Sequence, residues 1–121
     1  MSEHVSIEAL RESELSEAWA LARSSGSYAN EDWWVTEGRE VIAGGGGVLA
    51  ARAADGHLHG VATFEAAPPS ARTLTVRTLI TFDLSRNAPA RSALLASLKR
   101  IAAKLECTHV VLPLSATAVR R

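Results

Sequence analysis

Apolar and polar positions follow clear periods along most of this 121-residue chain. They alternate over residues 5–10, which predicts a short first strand. Leu15, Ala18, Trp19 and Ala22 then recur at helical spacing, so a first helix is expected over about residues 14–23, with Ser13 as its cap and Glu14 and Glu17 in its first turn. A polar loop follows over 24–30. Asn30 ahead of Glu31 and Asp32 reads as a second cap, and Trp34, Val41 and Ile42 share one side of a helix that the glycines at 44–47 must end.

The second half is rich in strands. Residues 48–53 and 58–66 flank Asp55-Gly56, a pair that favours the positive φ of tight antiparallel turns, so a hairpin is expected. Residues 73–83 are β-branched and apolar, with Leu74, Val76, Ile80 and Phe82 on one phase of a long strand. Pro89 suits the first turn of a helix, and Leu94, Leu98, Ile101 and Leu105 behind it make the clearest amphipathic stripe in the chain, over 89–106. The short apolar run 109–112 is expected as a buried parallel strand. The order β-α-α-β-β-β-α-β defines an α+β class, with a mixed sheet of α/β character, in one domain spanning 1–121.

Composition narrows the functional classes. Thirteen basic residues balance thirteen acidic ones, so the basic excess of a nucleic-acid binder is missing. The first ten residues carry Glu3, His4 and Glu8 and lack the apolar core of a signal peptide; no apolar run approaches the ~20 residues of a membrane span, and a cytoplasmic location is expected. One cysteine, Cys107, precludes an internal disulfide. Abundant Ala and Arg beside two lysines point to a GC-rich bacterial genome.

Several residues invite chemistry. The four glycines at 44–47 are followed by Val48-Leu49-Ala50 rather than by Gly-Lys-Ser/Thr, so they read as a mobile connector and not as a phosphate loop. His57 and His59 share a strand face, yet no carboxylate or thiol cluster completes a metal set, and no metal is expected. Cys107-Thr108-His109 lacks a third group to orient a base. Asp83 and Glu65 are the candidate proton acceptors, each also readable as a solvated strand end. Adjacent Trp33 and Trp34 cannot both face inward, so one belongs to the core and one to a groove or partner surface.

The stretch Leu79-Ile80-Thr81-Phe82-Asp83-Leu84-Ser85-Arg86-Asn87-Ala88-Pro89-Ala90-Arg91-Ser92-Ala93-Leu94-Leu95 resembles strand 4, the pyrophosphate loop and the following helix of the GNAT acyl-CoA N-acyltransferases. Arg86 falls on the first position of their Arg/Gln-x-x-Gly-x-Gly/Ala signature, and the order of elements over about 5–114 is similar too. The resemblance implies acetyl-CoA or another acyl-CoA as co-substrate, an amine acceptor, and coenzyme A contacts from Leu79, Thr81, Arg86, Asn87, Ala88, Ala90 and Arg91. It implies acceptor contacts near Tyr28, Trp33 and Trp34.

The pattern also departs from the family. The two glycine positions of the signature hold Pro89 and Arg91, and Thr75 stands where some members carry a glutamate base. Family members commonly continue with a further helix and two strands, whereas this sequence reaches only Arg121. Two readings follow: an acyltransferase, or a catalytically inactive module of the same fold that acts by association. Without those strands residues 109–112 keep an open edge, so a homodimer is expected through that strand or the tail 115–121.

Overall fold

The computed structural model describes residues 5–65, 72–83, 87–113 and 117–119. Six strands form one mixed sheet: β1 (Val5–Ala9), β2 (Gly47–Ala53), β3 (Leu58–Glu65), β4 (Thr73–Phe82), β5 (His109–Val111) and β6 (Thr117–Val119). The first four are antiparallel neighbours in chain order, and β5 and β6 both run parallel to β4. A 3-10 helix (Glu12–Ala18) leads into α1 (Trp19–Ser24), and α2 (Glu31–Ala43) and α3 (Pro89–Lys104) complete the described helices.

Local chemistry explains the element ends. The first helix opens at Arg11 rather than Ser13, because the Glu14 carboxylate reaches back to the Arg11 N–H at 2.9 Å, and its first turns are 3-10. Asn30 caps α2 as expected, accepting from the Trp33 N–H at 3.0 Å. The glycine run ends α2, but it is packed rather than simply mobile: a Cβ on Gly46 would sit 2.1 Å from the Phe64 carbonyl oxygen. Gly56, at φ 89°, turns the hairpin between β2 and β3.

The sheet separates two apolar layers. Leu15 and Ala18 of the 3-10 helix, Leu21 and Ala22 of α1, and Trp34 and Val41 of α2 cover Val48, Ala50, Val61 and Ile80 on one face. Ala90, Leu94, Leu98 and Ala102 of α3 cover Leu49, Ala51, Ala62, Leu74, Val76 and Leu79 on the other. At about 1.5 to 3 kcal/mol per fully buried Leu or Val side chain, these layers carry most of the folding drive.

β4 departs from the expected single phase. Thr63 pairs with Thr78, but Phe64 pairs with Val76, so Arg77 is an extra residue, a β-bulge. The bulge shifts alternation by one: Leu74 and Val76 pack under α3, whereas Ile80 lies on the opposite face and Leu79 takes over the α3 side.

The final strands also correct the expectation. β5 is parallel, yet it is not buried: Val111 is 49% and Leu112 37% exposed. The reason is coverage, since the layer of α1 and α2 reaches β4 at Ile80, with Phe82 packed against it, and β5 pairs with the far end at Thr73–Thr75. Within the tail 115–121, Thr117–Val119 pairs with Ile80–Phe82 of the same chain.

Candidate functional site

The bulge at Arg77 helps to build a polar enclosure between β4 and α2. Thr78, turned to the α2 face, brings its Oγ1 to 2.7 Å from the Tyr28 hydroxyl and 3.0 Å from Glu37 Oε2. The Tyr28 hydroxyl donates to the same carboxylate oxygen. Three oxygens thus meet around two hydroxyl protons, so the third contact has no hydrogen of its own and the cluster has capacity for one more donor. Arg77 Nη2 lies 3.4 Å from Glu37 Oε1, and its Nη1 lies 3.8 Å from Glu65 Oε1.

A cavity of about 150 Å³ opens beside this cluster, walled by Ser27, Tyr28, Glu37, Arg77, Thr78 and Pro113. The Glu37 side chain is only 19% exposed, which strengthens its field there. Burial pushes the Tyr28 phenol well above the ordinary tyrosine range, and the Glu37 carboxylate pushes it further; Tyr28 is therefore a protonated donor at neutral pH. A second, more open cavity of about 440 Å³ shares Ser27, Tyr28 and Glu37 with the first and extends along α2 past Trp33, Thr36 and Glu40.

At the other end of β4, the start of α3 has its own anion. Asp83 Oδ1 accepts from the Ala90 N–H at 2.8 Å and Oδ2 from the Arg91 N–H at 3.2 Å. Pro89 has no N–H to offer, and the Ser92 N–H already bonds the Ala88 carbonyl at 2.9 Å. The carboxylate therefore takes the first N–H donors of the helix, which a phosphate at this helix end would otherwise use. Ala88 holds the turn with φ 43°, a left-handed conformation uncommon for alanine.

These facts place the residues singled out from the sequence. Tyr28 and Leu79 line the inner cavity and Trp33 the outer one, where its indole is 61% exposed. Trp34 lies in the core with no exposed surface, its indole N–H donating to the Leu15 carbonyl at 2.7 Å, so it contacts no ligand space. Glu65 and Asp83 do not meet, because Glu65 pairs with Thr75, about eight residues and roughly 26 Å along β4 from Asp83. Thr81 is buried under α3 with its hydroxyl unpartnered; Ala90 is buried, Arg91 half-buried and Asn87 exposed. Arg86 lies outside the described residues.

His57 and His59 gather only around Asp55, at 3.5 and 3.8 Å, and no group of three metal-ligating side chains forms among the described residues. His109 Nδ1 turns to Thr108 at 3.0 Å, not to Cys107. Sequence reasoning missed Glu37, Arg77 and Thr78. Glu37 had a weak signal, since it stands one turn after Trp33 on a capped helix. Thr78 had none without the bulge.

No family model matches the sequence, and no curated protein is similar to it in sequence. Solved structures do match. An aminoglycoside N-acetyltransferase AAC(6')-Iy in complex with CoA superposes with a TM-score of 0.74 at 15% identity, covering 93% of this chain and 78% of that one. A ribosomal-protein-alanine N-acetyltransferase from Brucella melitensis gives 0.72 at 22% identity, covering 96% and 81%. A glucosamine-6-phosphate N-acetyltransferase from Arabidopsis thaliana gives 0.70 at 12% identity, covering 91% and 82%. The chain has the fold of the GNAT N-acetyltransferases, as its strand 4 and the following helix imply. None of its described helices is long and apolar enough to cross a membrane.

Proposed function

We propose that this protein transfers an acyl group from an acyl-coenzyme A to an amine seated in the cavity beside Glu37. The observation that carries this reading is the cluster of Tyr28, Glu37 and Thr78 at the β4 bulge, inside a fold whose solved neighbours include N-acetyltransferases. Glu37, with Tyr28 and Thr78 around it, receives the ammonium form of the acceptor and takes its extra proton, freeing the lone pair. The nitrogen then bonds to the thioester carbonyl carbon and the C–S bond breaks. The bonded nitrogen loses its second proton to water, the thiolate takes a proton from the protonated Tyr28 phenol, and Tyr28 regains one from the protonated Glu37, so the products are an amide, free coenzyme A and one released proton. Holding the two reactants side by side supplies much of the rate.

Thiol release from acetyl-CoA in the presence of simple amines tests this. Turnover that falls at least tenfold in both Glu37→Gln and Tyr28→Phe is the expected result. The absence of both turnover with any amine and heat of binding with millimolar acetyl-CoA would refute it. One observation favours a second reading, an inactive module: Asp83 holds the helix donors that a pyrophosphate needs. Under the first reading the pyrophosphate displaces that carboxylate.

A further inference from the structure

We infer that the acceptor carries a second positive charge, that of a short aliphatic diamine, held in the outer cavity by Trp33 and Glu40. This rests on the proposed amine site at Glu37 and names its substrate class. The outer cavity is continuous in its lining with the inner one through Ser27, Tyr28 and Glu37. Its remaining wall is Trp33, Thr36 and Glu40, which return at helical spacing along one face of α2.

Three features of that wall point to a cation. Glu40 has no ion-pair partner among the described residues, and no Lys, Arg or His lines the outer cavity. The inner cavity differs, because there Arg77 offsets Glu37. Trp33 is the most exposed large apolar side chain described, at 61%, and an exposed indole lining the same cavity as two carboxylates suits an ammonium group and its methylenes. The Trp33 and Tyr28 rings give this wall apolar surface for the methylenes between two charged ends, and Glu37 and Glu40 give it the carboxylates for the ends themselves. Glu37 and Glu40 are three residues apart, about 4.5 Å along the helix axis, so two ammonium groups a few ångströms farther apart span both carboxylates.

The division of labour follows from the charges. The reacting amine must be neutral to attack, so it lies inside, against Glu37 and the hydroxyls. The other amine stays protonated and anchors outside.

Direct titration of the protein with 1,4-diaminobutane and with butylamine, by calorimetry and by tryptophan fluorescence, tests the inference without coenzyme A. The diamine is expected to bind about tenfold more tightly than the monoamine, with a salt-sensitive affinity. Glu40→Gln and Trp33→Ala, both at exposed positions and checked by circular dichroism, are expected to bring that ratio close to one. A wild-type ratio near one, no binding of the diamine, or a ratio unmoved by both substitutions would overturn the inference. The acetyl-CoA assay is read separately: acylation of butylamine and diaminobutane at equal efficiency overturns the diamine site and leaves acyl transfer standing, whereas tight diamine binding without any acylation supports the site and removes the transferase.

Discussion

Asp83 is the residue at which the two readings of the protein part. Its two oxygens hold the N–H groups of Ala90 and Arg91 at 2.8 and 3.2 Å, so Asp83→Ala removes a charged cap from α3. A lost cap costs about 0.5 to 2 kcal/mol, and the lost charge at the positive helix end about 0.3 to 1, so the free protein should lose roughly 1 to 2.5 kcal/mol. For a chain of this size that is a fall of about 4 to 10 °C in Tm, read by circular dichroism without ligand. Binding should move the other way. If the pyrophosphate of coenzyme A uses these donors, the substitution frees them and removes a repelling charge worth roughly 1 to 2 kcal/mol after screening, a gain of about five- to thirtyfold in affinity. Calorimetry with coenzyme A on both proteins reads it. An unchanged Tm would show that Asp83 caps nothing, and unchanged affinity would show that the phosphates lie elsewhere. Loss of turnover in Asp83→Asn with affinity retained would return Asp83 to the role of base.

Other outcomes follow from the same contacts. Tyr28 is the only tyrosine, so the ultraviolet absorbance of tyrosinate reports on it alone; its midpoint should lie above the ordinary value of 10.0, and Glu37→Gln should lower it. Because the folded phenol holds its proton more tightly than the unfolded one, this contribution to stability is complete below pH 10 and declines as pH rises beyond it, as urea titrations at increasing pH would show. Gly38→Ala places a methyl 2.7 Å from both Leu15 methyls; overpacking of about 1 to 3 kcal/mol exceeds a helix gain of about 1, so urea denaturation should show a net loss of about 1 kcal/mol. Light scattering should give twice the monomer mass, since among the described residues β5 pairs only with β4 and leaves Val111 and Leu112 exposed beside its other edge; Val111→Lys should yield monomers, and a wild-type monomer at high micromolar concentration would overturn the dimer.

Most of the framework was readable from periodicity because local and global signals agree there. Asn30 both caps α2 and precedes its apolar side, Asp55-Gly56 makes its turn, and Pro89 begins a helix whose Leu94 and Leu98 are fully buried. The failures fall where a distant partner decides. Ser13 has the chemistry of a cap, but the Glu14 carboxylate reaching Arg11 competes for the same turn. Residues 109–112 look like a buried strand because composition reports what a segment could bury, not whether a helix covers it, and β5 sits beyond the reach of α1 and α2.

The site was less legible than the fold, and Arg77 shows why. Alternation along 73–83 puts Leu74, Val76, Thr78, Ile80 and Phe82 on one phase, which assigns Thr78 to the same face as Leu74 and Val76. The extra residue in β4 reverses that assignment halfway along the strand, and Thr78 joins the α2 side, where Tyr28 and Glu37 arrive from 50 and 41 residues away. No period can announce a single inserted residue, because each half of the strand remains regular by itself. The bulge also sends the Arg77 side chain to Glu37 and Glu65 rather than into a core. One backbone irregularity therefore supplies both the threonine hydroxyl and the arginine of the cluster, which makes the register of β4 against β3 a condition of the proposed chemistry as well as of the fold.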